Sequence, residues 1–477
     1  MMKQTNKGTQ VLSESVEQRA SMERNSSAER VAETQSSAQS QQGLERVRAA
    51  ARESRTERFT NLMHHINVTM LREAYKALNR KAASGDDGIS WSQYGEGLKG
   101  KLTKLHDRLQ SGRYRAAPVK RVWISKSSGE KRPIGITCVE DKVVQQALVW
   151  VLESIYEVDF KGFSYGYRPG RSQHNALDAL YMALTVKKVS FVFETDIRGC
   201  YDHIDQQWLM RFMEHRIADR RILKILKQTL RAGVIDDGQW HSSESGIAQG
   251  AVISPLLANI YLHYSLDLWS NQWREREARG DVYLIRYADD LVACFQYRED
   301  AEKFEGLLAE RLSRFSLELH PEKTRVIEFG RFAESNARKR GGGKPATFDF
   351  LGFTHICARR RSDGGYMVKR ITIAGRQRAK LNEIKQWLKR YRLQPIAYQG
   401  KQLSAILHGT INYFGVPGNR PALGAFRSEI CKAWLKSLRR RSQKAKKLTW
   451  AKMARIIKQW IPSIKIVHPY PGQRLHV

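Results

Sequence analysis

Arg286-Tyr287-Ala288-Asp289-Asp290-Leu291 lies between two apolar runs, Val282 to Arg286 and Leu291 to Phe295. Two short β-rich runs with a polar break between them predict a β-hairpin, here with an acidic tip. Adjacent carboxylates beside apolar strands are costly unless a cation neutralises them. An Asp-Asp pair alone is more often a solvated turn, but a third acid shifts that balance. Phe191-Val192-Phe193-Glu194-Thr195-Asp196-Ile197 is short and apolar, as suits a central strand, and carries Asp196 near its end. Two strands bringing Asp196 and Asp289 to one edge would build a hard-oxygen site suited to Mg2+.

The composition agrees with a polyanionic partner. The 477 residues hold 82 Lys+Arg against 48 Asp+Glu, a formal net charge of +34. Lys and Arg gain free energy by displacing counterions from phosphates. At 41% hydrophobic the chain can bury a core, and its length suits several domains. Cys138, Cys200, Cys294, Cys357 and Cys431 are widely spaced, with no C-x-x-C pair, which argues against a zinc module or a disulfide scaffold. No run of 18 apolar residues predicts a membrane span. The expected location is cytoplasmic, and nucleoid-associated in a bacterium.

The charge is concentrated at one end. Residues 351–477 carry 28 Lys+Arg against 3 Asp+Glu, whereas residues 1–58 carry 10 against 8. Those first 58 residues contain no Phe, Trp or Tyr and predict disorder to about Val47, with a helix from near Arg46 running on through Leu78. Asp141 to Tyr156 has the spacing of an amphipathic helix. Arg338 to Pro345, with three glycines, predicts a flexible basic loop. From Arg376 the pattern is helical: Leu381, Ile384, Trp387, Leu388 and Tyr391 form one stripe, and Ala433 to Leu438 and Trp450 to Trp460 repeat the style.

Tyr287-Ala288-Asp289-Asp290 resembles the Tyr-x-Asp-Asp box of reverse transcriptases, and other blocks of that family stand around it in order. Lys126-Ser127-Ser128-Gly129-Glu130-Lys131-Arg132-Pro133-Ile134-Gly135-Ile136 resembles the fingers block, and Asp196-Ile197-Arg198-Gly199-Cys200-Tyr201-Asp202 the first catalytic-aspartate block. Gln249-Gly250-Ala251-Val252-Ile253-Ser254-Pro255-Leu256-Leu257-Ala258-Asn259 and Leu351-Gly352-Phe353 resemble the two that follow. Each is weak or moderate alone; five in order are specific. Lys81 to Ile89, Phe163-Ser164-Tyr165-Gly166-Tyr167-Arg168-Pro169-Gly170-Arg171-Ser172 and Leu407-His408-Gly409-Thr410-Ile411-Asn412-Tyr413-Phe414 resemble the group II intron-encoded members in particular. The likeness covers roughly residues 60–470.

The resemblance implies an α+β right-hand polymerase, with fingers and palm over 59–357, an all-α basic thumb/maturase domain over 371–477 and an N-terminal extension over 1–58. It implies RNA-directed DNA synthesis with two Mg2+ ions, dNTPs and an RNA template with a DNA primer, together with binding of the parent intron RNA and a target DNA. Asp196, Asp289 and Asp290 would be the catalytic carboxylates, with Asp196, the Ile197 carbonyl and Asp289 as metal ligands. Lys126, Arg132, Tyr201 and Gln249 would contact the dNTP, Tyr201 by crowding the sugar 2′ side, and Lys323 would protonate the leaving pyrophosphate. Arg439, Arg440, Arg441, Lys444, Lys446 and Lys447 form a basic run flanked by Trp434 and Trp450, a pattern suited to a folded RNA backbone.

Many relatives also carry a Cys/His-rich endonuclease, which the scattered cysteines do not match; the expectation is a polymerase that takes its primer from elsewhere. Two alternatives stand beside an active polymerase: a splicing maturase whose polymerase has lapsed, against which the intact carboxylate set speaks, and a domesticated, intron-independent enzyme of defence or repair. The sequence leaves the oligomeric state open.

Overall fold

A computed structural model describes residues 41–125 and 131–474. These residues divide into two compact units, one built on 41–125, 131–180 and 188–327, the other on 181–187 and 328–474. The fold is mixed α/β with a helical C-terminal region.

In the first unit, β1 (Val119–Ser125) and β2 (Lys131–Ile136) pair antiparallel, with Trp123 opposite Pro133 and Arg121 opposite Gly135. With β4 (Val234–Asp236) and β5 (Gln239–His241) they make a sheet of order β2-β1-β4-β5. The second sheet has the order β6-β7-β3-β8, from β3 (Phe191–Asp196), β6 (Val282–Tyr287), β7 (Asp290–Phe295) and β8 (Arg325–Glu328). Both strands of the expected hairpin and the strand ending on Asp196 are therefore present, side by side.

The expected helix over Asp141 to Tyr156 extends to Val139–Asp159. Val143, Val144, Ala147, Leu148, Val151, Leu152 and Ile155 are fully buried on it. Buried residues face almost every direction around its axis, so it is the central helix of the unit rather than a surface one.

The N-terminal region differs from expectation. Residues 41–53 are helical, and Val47 and Ala51 are buried in the core of the first unit, so disorder does not extend to Val47. The segment is polar overall, yet two small apolar residues one turn apart suffice to dock it. Nor does the helix run on to Leu78. Phe59 bridges to Ile217, and the Asp219 carboxylate accepts from the Leu62 and Met63 amides at 2.8 Å. A new helix, Val68–Ala77, then starts from Asn67, whose side chain accepts from the Met70 amide.

Glu153 shows what the helix at 41–53 contributes. Burial, and secondarily the charge of Glu157, raises the Glu153 carboxyl to about 7, with Arg48 opposing the shift. The native state therefore holds a proton that the unfolded chain releases near pH 4.5, and stability falls as pH rises from there through about 7.

The second unit begins earlier than the expected boundary at 357. Its sheet β11-β10-β9 comprises β9 (Phe348–Phe350), β10 (Phe353–Arg359) and β11 (Tyr366–Thr372). These strands pair with one another and fall in the same compact unit as the helices that follow. Leu351 (φ +46°) and Gly352 (φ +83°) make the two-residue turn between β9 and β10. Part of the expected flexible loop is the helix Ala333–Lys339, held by Arg338 on Glu334 at 2.5 Å. Helices Ala374–Arg390, Ile396–Phe414, Arg420–Arg439 and Trp450–Trp460 follow, the last with the expected bounds. Ile384 and Leu388 of the expected stripe join Leu403, Leu407, Phe426, Ile430 and Trp434 in their core. The buried Trp434 indole donates to Gln399 at 2.7 Å, which satisfies its only polar atom. Among the described residues no helix is long and apolar enough to cross a membrane.

Glu153→Gln is expected to stabilise the protein at pH 8 by up to about 3 kcal/mol, because each pKa unit is worth about 1.4 kcal/mol. The gain should shrink to nothing by pH 4.5, as thermal unfolding across that range would show.

Candidate active site

The register of the second sheet sets the site. Asp290 is opposite Asp196 on one side and opposite Tyr287 on the other, so the three lie in one row across β3, β7 and β6. Ala288 and Asp289 form the turn beyond that row. Ala288 has φ +56°, a left-handed conformation unfavourable for a residue with a Cβ, so its surroundings must hold it there.

Arg286 holds it. Its side chain is fully buried and makes a bidentate pair with the equally buried Asp267, at 2.7 and 2.5 Å. The same guanidinium donates to the Ala288 carbonyl at 2.9 Å, to Asn259 Oδ1 at 3.0 Å and to the Ser164 hydroxyl at 2.8 Å. Asp267 reaches this position from the single turn of π-helix His263–Asp267, between helices Ser254–Leu262 and Leu268–Arg276. A π-turn inserts an extra residue and so rotates one side chain inward. Asn259 Nδ2 also donates to the Gly166 carbonyl at 2.7 Å, and the Tyr165 amide to the Arg286 carbonyl at 2.9 Å. Gly166 lies so close that a Cβ there would sit 2.4 Å from the Ala288 nitrogen.

The carboxylates sit in opposed fields. Burial, then the charge of Asp196, raises the Asp289 carboxyl above its ordinary value, while Arg132 and Lys323 pull the other way. Lys323 Nζ forms an ion pair with Asp196 Oδ2. Burial pulls the Lys323 ammonium down, but the hydrogen bond and charge of Asp196, with Asp290 and Asp289 behind it, raise it overall. The turn His320–Thr324 places it, with the Lys323 and Thr324 amides on the His320 carbonyl and Thr324 Oγ1 2.6 Å from Thr195 Oγ1. Ile197 bridges to Leu319 through the Arg198 amide and the Asp196 carbonyl; neither bond uses the Ile197 carbonyl.

The remaining expected residues divide into four groups. Arg132 Nε donates to Gln249 Oε1 at 2.6 Å, and the Gly135 amide to the Gln249 carbonyl at 2.6 Å, so β2 is stitched to the loop before helix Ser254–Leu262. Tyr201 is buried, and its phenol is pushed up by burial, then by Tyr167 and Asp289. Lys126 lies outside the described residues. The basic run 439–447 belongs to the other unit. There Arg439 donates to the Leu448 carbonyl and Arg441 to the Gln394 carbonyl, at 2.8 and 2.6 Å, which gives both a structural task. Arg440, Lys444, Lys446 and Lys447 are exposed.

Among the described residues, no three acidic, His or Cys side chains form a ready-made metal cage. The donor chemistry nonetheless fits a hard cation. Asp196 and Asp289 repel one another, and an ammonium already occupies one of them.

Residues 124–355 match the family model described as "Reverse transcriptase (RNA-dependent DNA polymerase)". Protein YkfC of Escherichia coli is 34% identical over 277 residues, 51% of this chain and 71% of that protein. The group II intron-encoded protein LtrA of Lactococcus lactis is 35% identical over 226 residues, 46% of this chain and 37% of its own length. The mitochondrial nuclear intron maturase 1 of Arabidopsis thaliana is 26% identical over 92 residues, 19% of this chain and 13% of its own. The chain belongs to the reverse transcriptases, the RNA-directed DNA polymerases, in the branch of the group II intron reverse transcriptase/maturases. Enzymes of this family use a divalent metal, typically Mg2+.

Removing one partner of a buried ion pair leaves the other charge unmatched, so Asp267→Asn should cost about 3–5 kcal/mol in denaturant unfolding. Arg286→Met/Asp267→Leu should recover much of that. Amide exchange at residues 163–167 and 286–290 should nevertheless stay fast in the double variant, because nothing then holds the Ala288 carbonyl.

Proposed function

We propose that this protein copies RNA into DNA at the row formed by Asp196, Asp289 and Asp290, and that its basic C-terminal unit binds the parent intron RNA to promote splicing and retromobility. The observation that carries the first part is the register: Asp196 opposite Asp290, with Asp289 on the turn beside them. We assign the sheet β2-β1-β4-β5 to the fingers, the sheet β6-β7-β3-β8 to the palm and the C-terminal helices to the thumb.

Two Mg2+ ions held by Asp196, Asp289 and the Ile197 carbonyl would lower the pKa of the primer 3′-hydroxyl and stabilise the leaving pyrophosphate. Asp290 shapes the row rather than binding directly. Arg132, fixed by Gln249, faces the triphosphate; a planar guanidinium suits phosphate oxygens, and Lys126 is assigned beside it. Tyr201, buried against the palm, excludes a ribose 2′-hydroxyl. Lys323 carries its proton at neutral pH, as an ordinary lysine does, and stands beside Asp196, so it can donate to pyrophosphate.

The second part rests on charge and on the intron-encoded relatives. Residues 351–477 hold 28 Lys+Arg against 3 Asp+Glu. Arg440, Lys444, Lys446 and Lys447 are exposed for phosphate contact, and Arg439 and Arg441 add charge while bracing the helix ends.

Extension of a DNA primer on an RNA template in Mg2+ tests the polymerase. Wild type should make full-length cDNA and Asp289→Ala none; polymerisation by Asp289→Ala would sink the assignment. Lys323→Ala should lower kcat by about 100-fold or more, the usual worth of a general acid, with little change in KM. Intron-RNA affinity should fall steeply between 50 and 200 mM salt, because each phosphate contact releases a counterion. Flat affinity would contradict the basic-unit assignment.

A further inference from the structure

The segment Phe163–Ser172 carries a residue that the proposed chemistry leaves unused. Tyr167 has φ +54°, a conformation that disfavours a bulky side chain, yet it is 54% exposed and so is not held there by its own packing. Its neighbours on both sides hold it. Before it, Gly166 is jammed against the Ala288 nitrogen and tied by Asn259, and the Tyr165 amide is bonded to Arg286. After it, Arg168 is buried, paired with Glu157 through Nε and Nη2, and bonded to the Ser164 carbonyl at 2.7 Å. An anchored loop that forces a large aromatic ring outward in a strained conformation has a use for that ring.

The ring lies beside the acidic turn. Its centroid is 6.2 Å from that of Tyr287, in the Tyr-Ala-Asp-Asp turn. After burial, the groups that most perturb its phenol are Asp289, Arg132 and Asp290, and Tyr167 in turn perturbs Tyr201. Tyr167 thus stands among a carboxylate assigned to the metal, the guanidinium assigned to the triphosphate and the ring assigned to the sugar.

We propose that Tyr167 is a substrate-contacting residue that, with Tyr201, forms a two-sided slot for the sugar of the incoming deoxynucleoside triphosphate. The inference rests on the polymerase reading above. Tyr201 is buried and acts as a fixed wall. Tyr167 closes the slot from the solvent side, where its exposed face packs on the furanose ring. Its strained backbone keeps the slot in place before the nucleotide arrives, so less ordering entropy is lost on binding.

The test is single-nucleotide incorporation on poly(rA)/oligo(dT) with dTTP and, separately, UTP, for wild type, Tyr167→Phe and Tyr167→Ala. Tyr167→Ala should raise KM for dTTP about tenfold, the order expected for loss of one aromatic packing contact, with kcat within about threefold. It should also narrow the preference for dTTP over UTP. Tyr167→Phe keeps the ring and should recover most of the loss. Unfolding temperatures of both variants should match wild type, since the ring is exposed. An unchanged KM and sugar preference in folded Tyr167→Ala overturns the inference, as does weaker primer–template affinity with an unchanged dTTP KM. A wild type that incorporates neither nucleotide overturns the polymerase reading and the inference with it.

Discussion

The buried pair Arg286–Asp267 is the constraint on which the site depends. Two full charges with no exposure would be untenable unless each met the other and their remaining polar atoms were satisfied. The guanidinium meets that condition by bonding Asn259, Ser164 and the Ala288 carbonyl as well as Asp267. Four separate pieces of chain therefore converge on one side chain: the π-turn, the helix carrying Asn259, the 163–168 loop and the acidic hairpin. A solvated hairpin would relax its turn; this one holds Ala288 at φ +56°. Asp289 is placed by a buried network behind its turn rather than by its own hairpin alone.

In front of that network the electrostatics are deliberately unbalanced. Asp289 is raised by burial and by Asp196, and the compensating cations are Lys323, from the turn before β8, and Arg132, from β2. Both cations come from segments distant in sequence, and each has a second anchor: Thr324 on Thr195, and Gln249 under Arg132. The row of acids is thus poised for further positive charge without collapsing when none is bound, the arrangement expected where the counter-charge arrives with a substrate.

Much of this was legible in the sequence, and the limits were physical. The hairpin, the strand ending on Asp196 and the central helix followed from periodicity because their side chains answer to burial on a regular lattice. The helix Trp450–Trp460 was legible because its apolar residues repeat the helical style of the 381–391 stripe; the structure adds Thr449 as its N-cap, accepting from the Lys452 amide. The helix at 41–53 was not, since Val47 and Ala51 are too few to stand out in a polar segment. Arg286 was quoted as part of the hairpin, but its role was hidden. Its partner Asp267 sits in a π-turn, and no α or β period places that residue inward. Tyr167 likewise gains its meaning from a backbone angle that the sequence does not display. That β9, β10 and β11 pair only with one another is a fact of register and not of composition, so the compact unit they join was not legible from the sequence.

The central proposal is that Asp289, on the turn braced by Arg286, and Asp196, beside it on β3, form a divalent-ion site. Electron paramagnetic resonance of added Mn2+, with primer–template and a non-hydrolysable dNTP present, tests it most directly. The account predicts saturable loss of the free-ion signal by wild type, reversed by excess Mg2+ and abolished in Asp289→Asn. Equal binding by Asp289→Asn, or none by the wild type, would contradict it.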